Sequence, residues 1–474
     1  MIFIQVSMHK PQLLVIGNGM AGSRFVAELC ARGGAEKYAI TVFGEERGGA
    51  YNRILLSDVL NGSKTAQSIE THSPDWYAAR GIGLVSGAKI VRVNPQTREV
   101  ETDRGETHFY DELVFATGSR AAIPPIAGLH DADGARKSGV FVMRTLEDCE
   151  RIASFATKAR RAAVLGGGLL GLEAARGLVQ HGAKVHLVHR SAVLMSAQLD
   201  QIASQMLQRD VEKMGITVHL SKNTREIVGQ NGVEALRFSD ETLLPCDMIV
   251  IATGISPNVE LAREAGLPVE TAILVDDELR VQEGIWAIGE CAQHRGQTYG
   301  LVAPAWDQAR VLAQNLCGQS AKYEGTKTAT KLKVMGVELS AMGTPVEQDG
   351  DEVIEYREAR RGKYKKIIIR DGKIAGAILL GDTQKSASLQ GFFERQTPLP
   401  PERETLLFNI GKNAGGDAKN LPDDATVCNC NAVTAGRVRA CIKEGGDLKS
   451  IMTVTRAGTG CGGCKSVLKE FLDA

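Results

Sequence analysis

Two glycine-rich segments, each placed between an apolar run and a helical pattern, constrain the fold of this chain most. The first is QLLVIGNGMAGSRFVAEL, in which Gly17, Gly19 and Gly22 are spaced as G-x-G-x-x-G. The first glycine of such a motif permits a tight turn, the second lets the backbone approach a pyrophosphate, and the third allows close helix–strand packing. N–H groups at the start of the helix provide donors for the phosphates. The intact strand and helix context predicts a dinucleotide-binding βαβ unit.

An acidic pair follows this unit, at the end of its second apolar run. The segment AITVFGEE carries Glu45 and Glu46 directly after residues that resemble a buried strand. In dinucleotide-binding folds, an acid at this place hydrogen-bonds the ribose hydroxyls. We therefore expect Glu45 to contact the ribose, with Glu46 as the alternative.

A second unit of the same kind lies further along the chain. RRAAVLGGGLLGLEAARGLVQHG contains Gly166, Gly168 and Gly171 between a strand pattern and a helix pattern. Two such units predict two dinucleotides, which a reaction passing hydride between a nicotinamide and a flavin needs. The next strand ends in His189 and Arg190, cationic side chains of the type that accepts a 2′-phosphate, so NADH and NADPH both remain candidates.

On these motifs the chain resembles the two-dinucleotide flavoprotein reductases. Further segments match that family, namely YNRILLS, LVFATGS, MIVIATGISPN and IWAIGECAQ. The resemblance implies an α/β fold with two Rossmann-like dinucleotide-binding domains, the NAD(P)H-binding domain being inserted into the FAD-binding domain. It implies an FAD-binding domain at 10–120 and 245–322, an NAD(P)H-binding domain at 121–244 and a small α+β third domain at 323–410.

The family resemblance also assigns side chains to the two nucleotides. An acid after glycine in IWAIGECAQ binds the ribityl chain in this family; it is usually Asp and is Glu290 here. Related reductases often carry Lys where this chain has Asp58, so we assign no phosphate contact to that position. A helix beginning near Pro304 is expected to direct its N–H groups at the flavin, where its dipole stabilises negative charge on the reduced ring. The implied FAD contacts are Gly17, Gly19, Gly22, Glu45, Arg53, Thr117, Gly118, Gly289, Glu290 and Pro304, and the implied NAD(P)H contacts are Gly166, Gly168, Gly171, Glu173 (near the nicotinamide), His189 and Arg190.

The cysteines of the reductase-like body do not form a redox pair. No C-x-x-C or C-x-x-x-x-C motif follows the first glycine motif, and Cys30 lies inside a predicted helix. Cys149, Cys246, Cys291 and Cys317 are isolated, and single cysteines are usually small buried hydrophobes. Reduction of a protein disulfide beside the flavin is therefore not expected.

The tail carries two tight cysteine pairs instead. Cys428 and Cys430 form a C-x-C motif, and Cys461 and Cys464 form a C-x-x-C motif that encloses two glycines. In an extended segment, residues i and i+2 point the same way, so the first pair can bind one iron. Four thiolates suit a [2Fe–2S] cluster or a structural zinc ion, and a flavin upstream favours the iron–sulfur cluster.

The tail resembles the bacterioferritin-associated-ferredoxin type of [2Fe–2S] domain, including its AGTGCGGC segment. The resemblance implies a small C-terminal domain at 425–474, preceded by a linker at 411–424. CKSVLKEFL is expected to be helical, with Cys464 at its positive N-terminus. Four apolar residues are expected on one face of that helix: Val467, Leu468, Phe471 and Leu472.

The order of these sites predicts an electron path. A hydride carries two electrons and an iron–sulfur cluster carries one at a time, so a flavin can accept the pair and release them singly. The whole arrangement resembles the electron-transfer subunits of assimilatory nitrate reductases and the N-terminal halves of nitrite reductases. It implies an NAD(P)H-dependent FAD and iron–sulfur oxidoreductase, without an acid–base catalytic residue, whose acceptor is a catalytic nitrate reductase subunit or, next, a nitrite reductase. The alternatives are a free-standing NAD(P)H:ferredoxin or rubredoxin reductase and a non-enzymatic redox or iron sensor.

Charge and hydropathy argue against other classes of protein. Lys plus Arg and Asp plus Glu each number 56, which gives no electrostatic case for nucleic-acid binding. The longest apolar runs, such as DMIVIA, are too short to span a bilayer, and no membrane association is expected. The start MIFIQVSMHK lacks the basic end and hydrophobic region of a signal peptide, so a cytoplasmic location is expected. From Cys428 onward the sequence contains seven Lys or Arg and four Asp or Glu. Three interpretations of this positive surplus remain open: it offsets the charge of the cluster, it guides an acidic partner, or it is a solvated face.

Overall fold

The computed structural model describes residues 10–131, 133–334, 336–408, 418, 421–460 and 462–472. Contacts within the chain define two compact units. The first unit comprises Met1–Arg53, Gln67–Arg120 and Ile255–Thr326, and the second comprises Ile54–Ala66, Ala121–Gly254 and Lys327–Ala474.

The described chain contains both single strands between helices and longer runs of consecutive strands. The strands are β1 (Gln12–Ile16), β2 (Ala39–Gly44), β3 (Ala50–Tyr51), β4 (Glu70–His72), β5 (Gly83–Ser86), β6 (Ile90–Asn94), β7 (Glu99–Thr102), β8 (Thr107–Phe109), β9 (Glu112–Phe115), β10 (Ser119–Ala121), β11 (Val140–Val142), β12 (Arg161–Leu165), β13 (Lys184–Val188), β14 (Thr217–His219), β15 (Thr224–Val228), β16 (Ala235–Phe238), β17 (Leu243–Pro245), β18 (Met248–Ile251), β19 (Ile255–Pro257), β20 (Ile273–Val275), β21 (Arg280–Gln282), β22 (Ile285–Ala287), β23 (Ala292–His294), β24 (Ala329–Val334), β25 (Val337–Gly343), β26 (Glu352–Glu358), β27 (Lys363–Arg370), β28 (Lys373–Leu380), β29 (Thr426–Cys428) and β30 (Val433–Thr434). The helices are α1 (Met20–Cys30), α2 (Gly34–Lys37), α3 (Leu56–Leu60), α4 (Pro74–Ala78), α5 (Leu146–Ala156), α6 (Leu169–Gln180), α7 (Gln201–Lys213), α8 (Glu260–Glu264), α9 (Val302–Leu316), α10 (Ser386–Arg395), α11 (Ala435–Lys443), α12 (Leu448–Thr455) and α13 (Lys465–Leu472).

The first unit is built on a six-stranded sheet with the order β21-β22-β9-β1-β2-β5. β1 pairs in parallel with β2 and β9, and its apolar run is continuous because both faces are covered. Leu13 and Val15 pack on one face with Phe25 of α1, while Leu14 and Ile16 pack on the other. Because β22 pairs with β9, the chain returns to this sheet after the second sheet is complete, as expected of a domain interrupted by an insertion.

The second unit contains a five-stranded parallel sheet with the order β11-β18-β12-β13-β14. The predicted α/β class with two Rossmann-like sheets is therefore confirmed. β18 lies inside this second sheet, paired with both β11 and β12, which buries its run Met248–Ile251 on both faces. The predicted return to the FAD-binding domain at 245 therefore comes too early, because the second unit continues to Gly254.

Helix α3 is another departure from the predicted domain bounds, because it belongs to the second unit. Its Leu60 packs against Gly177 of α6, where an added Cβ would lie 2.9 Å from the Leu60 side chain. The Nε2 atom of His181 lies 2.7 Å from the carbonyl oxygen of Leu60. These contacts need a glycine at 177, and a local sequence pattern cannot reveal them.

The predicted third domain contains an antiparallel sheet with the order β24-β25-β28-β27-β26. Asp371 and Gly372 connect β27 to β28 with φ values of 51° and 72°, as the tight turn expected of RDGK requires. Leu389 and Phe393 of α10 join the apolar core of this sheet.

The third domain is also bonded to the nucleotide domain of the same unit. The Tyr364 hydroxyl on β27 donates to Asp200 Oδ2 at 2.6 Å, and Lys366 Nζ lies 3.2 Å from that oxygen. Asp200 Oδ1 meanwhile accepts the N–H of Ala203 and caps α7. The Asp200 carboxylate thus caps α7 and also bonds the nucleotide domain to the third domain.

The tail forms a small module of β29, β30 and α11–α13. The predicted helix after Cys464 is confirmed as α13, with Val467, Leu468 and Phe471 buried. Leu472, which was expected on the same face, is 38% exposed. Most of the predicted linker 411–424 lies outside the described residues. None of the described helices is long and apolar enough to cross a membrane.

Candidate dinucleotide and iron–sulfur sites

The first glycine loop has the shape that a pyrophosphate requires. Gly17 has φ +115°, and a Cβ there would lie 2.2 Å from the carbonyl oxygen of Ala116. A Cβ at Gly22 would lie 2.0 Å from the carbonyl oxygen of Gly17, so the turn and the helix packing both exclude side chains. At Gly19, the N-cap of α1, nothing lies within 4 Å of the Cβ position. The loop therefore leaves open space in front of the helix N–H groups.

The second loop repeats this arrangement. Gly166 has φ +120°, and its Cβ would lie 2.1 Å from the carbonyl oxygen of Ala252. A Cβ at Gly171 would lie 1.9 Å from the carbonyl oxygen of Gly166. Gly168, the N-cap of α6, again faces open space. Both loops thus fit a dinucleotide by the same steric criteria.

Glu45 and Glu46, the two acids after β2, have different contacts. Glu46 accepts hydrogen bonds from Arg53 Nη2 at 2.6 Å and from the Tyr51 hydroxyl at 2.7 Å. The Glu45 side chain is 71% exposed and lies 3.4 Å from Lys89 Nζ. The acid that meets the predicted FAD contact Arg53 is therefore Glu46, the alternative, rather than Glu45.

Two segments of the first unit that lie far apart in the sequence, one with Thr117 and one with Asn258, are hydrogen-bonded to each other. Asn258 Nδ2 donates to the carbonyl oxygen of Thr117 at 2.8 Å, and its backbone N–H donates to Gly118 at 2.9 Å. The Thr117 hydroxyl donates back to the carbonyl oxygen of Asn258 at 2.9 Å. Asn258 was not among the predicted site residues. The sequence marks Asn258 only by the segment SPN at 256–258, and this segment does not reveal a partner 141 residues away.

The later FAD motif brings together a glycine, an acid and a buried amide. Glu290 accepts a hydrogen bond from the Ser119 hydroxyl at 2.5 Å. The Gly289 N–H donates to Gln308 Oε1 at 2.7 Å, and Gln308 lies one turn after the buried Pro304 of α9. Gln308 is 1% exposed, and its Nε2 has no hydrogen-bond partner in the described chain. A buried donor without a protein acceptor fits a site that awaits a cofactor oxygen. Sequence reasoning missed Gln308.

The second glycine loop is hydrogen-bonded to the imidazole of His189 at the end of the following strand. His189 Nδ1 accepts the N–H of Gly167 at 3.1 Å, so a proton on the neutral ring lies on Nε2. Burial, with the charge of Arg190, lowers the pKa of His189. His189 is therefore neutral at pH 7, and the cation expected at this strand end is Arg190, which is exposed. Glu173 lies on α6, partly buried.

Three of the four tail cysteines converge in the core of the module. Cys428 ends β29, Cys430 lies in the 3₁₀ turn Asn429–Asn431, and Cys464 directly precedes α13. They are 1%, 5% and 3% exposed. The expected extended C-x-C segment was wrong, because the chain turns tightly after Cys428 to pair β29 with β30. Cys461 lies outside the described residues.

The surroundings of Cys428 favour the form of sulfur that binds iron. Hydrogen bonds with Cys430 and Cys464 lower the pKa of its thiol and outweigh the opposing effect of burial. Asn431 Nδ2 also donates to Cys428 Sγ at 3.8 Å. Thiolates are the ligands of iron–sulfur clusters, so the lowered pKa of Cys428 suits a cluster ligand. Within the described residues no group of three or more His, Cys, Asp or Glu side chains is arranged to hold a metal ion.

Family models match three successive parts of the chain. Residues 11–309 match the pyridine nucleotide-disulphide oxidoreductase model. The chain belongs to this family. Residues 329–397 match the rubredoxin NAD+ reductase C-terminal domain, and 426–474 match the BFD-like [2Fe-2S] binding domain. The protein is thus an oxidoreductase that uses FAD, NAD(P)H and a [2Fe–2S] cluster, as predicted.

Relatives of this oxidoreductase extend over almost the whole chain. It is 40% identical to a nitrite reductase [NAD(P)H] of Bacillus subtilis over 98% of its own length and 58% of the relative. It is 37% identical to the assimilatory nitrate reductase electron transfer subunit of the same organism, over 98% of the chain and 60% of the relative. The chain therefore spans less than two thirds of these proteins. A ferredoxin reductase of Rhodopseudomonas palustris is similar in structure, with a TM-score of 0.75, 25% identity, and coverage of 83% of this chain and 97% of that chain.

The family name mentions a disulfide, but no disulfide joins the described cysteines of this oxidoreductase. Cys149, Cys246 and Cys291 are buried, as expected of packing residues. Cys291 donates to the carbonyl oxygens of Ile288 and Phe115 at 3.3 and 3.6 Å. Burial raises the pKa of Cys291, so it remains a protonated thiol.

Proposed function

We propose that this chain takes electrons from NAD(P)H through FAD and its [2Fe–2S] module to a partner protein. Bound FAD supplies the change from a hydride pair to single electrons, and the cluster carries single electrons onward. The observation that supports the proposal most is the presence, in one chain, of two open glycine loops and a group of three buried cysteines, Cys428, Cys430 and Cys464. The absence of a C-x-x-C motif after the first glycine loop agrees with electrons leaving through the tail.

The proposed acceptor is the catalytic subunit of an assimilatory nitrate reductase. A relative named as the electron transfer subunit of that enzyme matches 98% of this chain. Nitrite reductase is the next candidate, because a relative of that name covers the same share of the chain. Rubredoxin is a further candidate acceptor, since residues 329–397 match a domain of rubredoxin reductases.

The residues proposed to hold the cofactors act by position and by backbone donors. Hydride transfer requires stacking and a short distance, so no side chain is assigned a proton-transfer role. The proposed FAD contacts are Gly17, Gly19, Gly22, Glu45 or Glu46, Arg53, Thr117, Gly118, Gly289, Glu290 and Pro304, with Gln308 and Asn258 in support. The proposed NAD(P)H contacts are Gly166, Gly168, Gly171, Glu173, His189 and Arg190, and the proposed cluster ligands are Cys428, Cys430, Cys461 and Cys464. The tail domain is proposed to begin at 425.

The decisive experiment is an anaerobic titration of the iron-loaded, full-length protein with NADH and with NADPH. Flavin absorbance should bleach first, and the EPR signal of a reduced [2Fe–2S] cluster should follow. Reduction of nitrate reductase, nitrite reductase and rubredoxin is then compared at equal protein concentration. Oxygen-protected protein that contains zinc but neither iron nor sulfide would contradict the proposal, and so would a flavin that NAD(P)H does not bleach.

A further inference from the structure

One stretch of the tail module carries positive charge without any acid. Between Asp447 and Glu470 the sequence contains Lys449, Arg456, Lys465 and Lys469 and no Asp or Glu. Lys449, Arg456 and Lys465 are exposed, and so is Val454, at 61% of its surface. We call Val454, Arg456 and Lys465 the cationic rim, and we leave Lys449 out of it because this residue lies in the first turn of α12, beside Asp447.

The rim borders the cysteines directly. The Arg456 carbonyl accepts a hydrogen bond from Asn431 Nδ2 at 2.7 Å, and Asn431 follows Cys430 in sequence. Lys465 follows Cys464, and its Cγ lies 3.2 Å from the Cβ position of Gly458. Further along the same side chain, Cε lies 3.9 Å from the Cβ position of Gly462. The stem of Lys465 therefore runs past Gly458, which lies between the two proposed ligand pairs, and past Gly462, which lies within the second pair.

Two acids of the module, Asp447 and Asp423, bind other groups. Asp447 caps the opposite end of α12, where it accepts the N–H of Ser450 at 2.8 Å and its hydroxyl at 2.6 Å. Asp423 forms an ion pair with Arg439 of α11. Glu444 ends α11 as its C-cap. Thus the end of α12 that approaches the cysteines is positively charged, while the end that begins the helix is acidic.

We propose that the cationic rim docks the acidic surface of the electron-accepting protein, an inference that rests on the function proposed above. Four thiolates make an iron–sulfur site negative, so an acidic acceptor is repelled unless cations surround the site. Complementary charge steers association, and transient redox contacts are small, so a few side chains suffice. Val454, two residues before Arg456, adds an apolar contact beside the proposed exit of electrons.

The test uses iron-loaded, full-length protein and two electron acceptors of opposite charge, an acidic rubredoxin and basic cytochrome c. The variant Arg456→Glu/Lys465→Glu reverses the two charges of the rim. The matched control Arg437→Glu/Lys443→Glu reverses two exposed charges on α11 of the same module. The second-order rate of acceptor reduction is measured over a series of salt concentrations, and binding of oxidised rubredoxin is measured by calorimetry.

The rim variant should reduce rubredoxin about tenfold more slowly at low salt, with weaker binding, and the difference should vanish as salt screens the charges. Cytochrome c reduction should not slow. The control should stay within about twofold of the wild type for both acceptors. Equal losses in both double variants, or a rubredoxin rate independent of salt, would overturn the docking site. Flavin bleaching and cluster EPR are recorded on every sample: their absence from the wild type would defeat the proposed function itself, whereas their presence with an unchanged rubredoxin rate in the rim variant would defeat the rim alone.

Discussion

Gly168→Ala separates the two tasks of the second glycine loop, which are to fold and to bind a nucleotide. Gly168 has φ −85° and ψ −176°, a conformation open to any L-residue, and nothing lies within 4 Å of its Cβ position. Alanine is a poorer N-cap than glycine by about 0.5–1 kcal/mol. Alanine also restricts the unfolded chain more than glycine does, which stabilises the folded state by about 0.4–1 kcal/mol and offsets the cost at the N-cap. We therefore expect the free energy of unfolding to change by less than about 0.5 kcal/mol.

Nucleotide affinity should fall sharply in the same variant, because the added methyl group occupies the space assigned to the pyrophosphate. A hydrogen bond from a backbone N–H to a charged group contributes about 1.5–3 kcal/mol. Losing one such bond raises the dissociation constant of NADH or NADPH roughly ten- to 150-fold. Anaerobic stopped-flow bleaching of the flavin over a range of nucleotide concentrations measures this constant, and thermal melting measures stability.

Gly171→Ala is the contrasting variant. Its Cβ would lie 1.9 Å from the carbonyl oxygen of Gly166, so backbone must move and stability should fall by at least about 1–3 kcal/mol. If Gly168→Ala melts like the wild type and also bleaches its flavin at wild-type nucleotide concentrations, the loop does not hold a pyrophosphate. If Gly168→Ala instead unfolds like Gly171→Ala, the open space has been misjudged.

Three further outcomes are expected. Gly19→Ala should lower the FAD content of purified protein without lowering the stability of the FAD-free protein, as measured by the ratio of flavin to protein absorbance and by melting; full flavin occupancy would count against the first loop as the FAD site. Cys464→Ser should remove iron and sulfide while NADH still bleaches the flavin, as elemental analysis and absorbance will show, and retention of the EPR signal would remove Cys464 from the ligand set. His186 Nδ1 lies 3.1 Å from His219 Nε2, and burial lowers the pKa of both rings below 6.5. The unfolded chain therefore binds protons at higher pH than the folded one, so stability is complete above about pH 6.5 and decreases below it. His219→Gln should reduce this decrease in melting curves recorded between about pH 7 and about pH 5; an unchanged slope would contradict the assignment.

The two glycine loops were predictable because their constraints are local. Gly22 is required by the carbonyl oxygen of Gly17, and the G-x-G-x-x-G spacing encodes that crowding within one turn, whereas the Ala116 carbonyl that crowds Gly17 lies outside the motif. The RDGK turn was predictable for the same reason, since Asp371 and Gly372 both need positive φ. A pattern that spans a few residues can specify geometry that spans a few residues.

Contacts across the first unit could not be predicted in this way. Asn258 bonds Thr117 across 141 residues, and the role of Gln308 is visible only in its hydrogen bond from the N–H of Gly289.

The pairing of strands could not be predicted from local sequence either. The segment MIVIATG was expected in the FAD-binding domain, but pairing with β11 and β12 assigns β18 to the second sheet. The tight turn at Cys430 likewise follows from the pairing of β29 with β30, which the C-x-C spacing does not specify.

Two buried thiols of this chain show why the tail, rather than the reductase body, should bind metal. Cys291 is 0% exposed and Cys428 is 1% exposed, so burial disfavours the thiolate at both. At Cys291 burial outweighs the hydrogen bonds from Thr117 and Gly118, and the pKa rises. At Cys428 the donors dominate, namely the sulfurs of Cys430 and Cys464 and the Asn431 amide, and the pKa falls. Since iron binds thiolates, a site where hydrogen bonds to sulfur outweigh burial suits a metal ligand, whereas a site where burial outweighs them suits a packing residue.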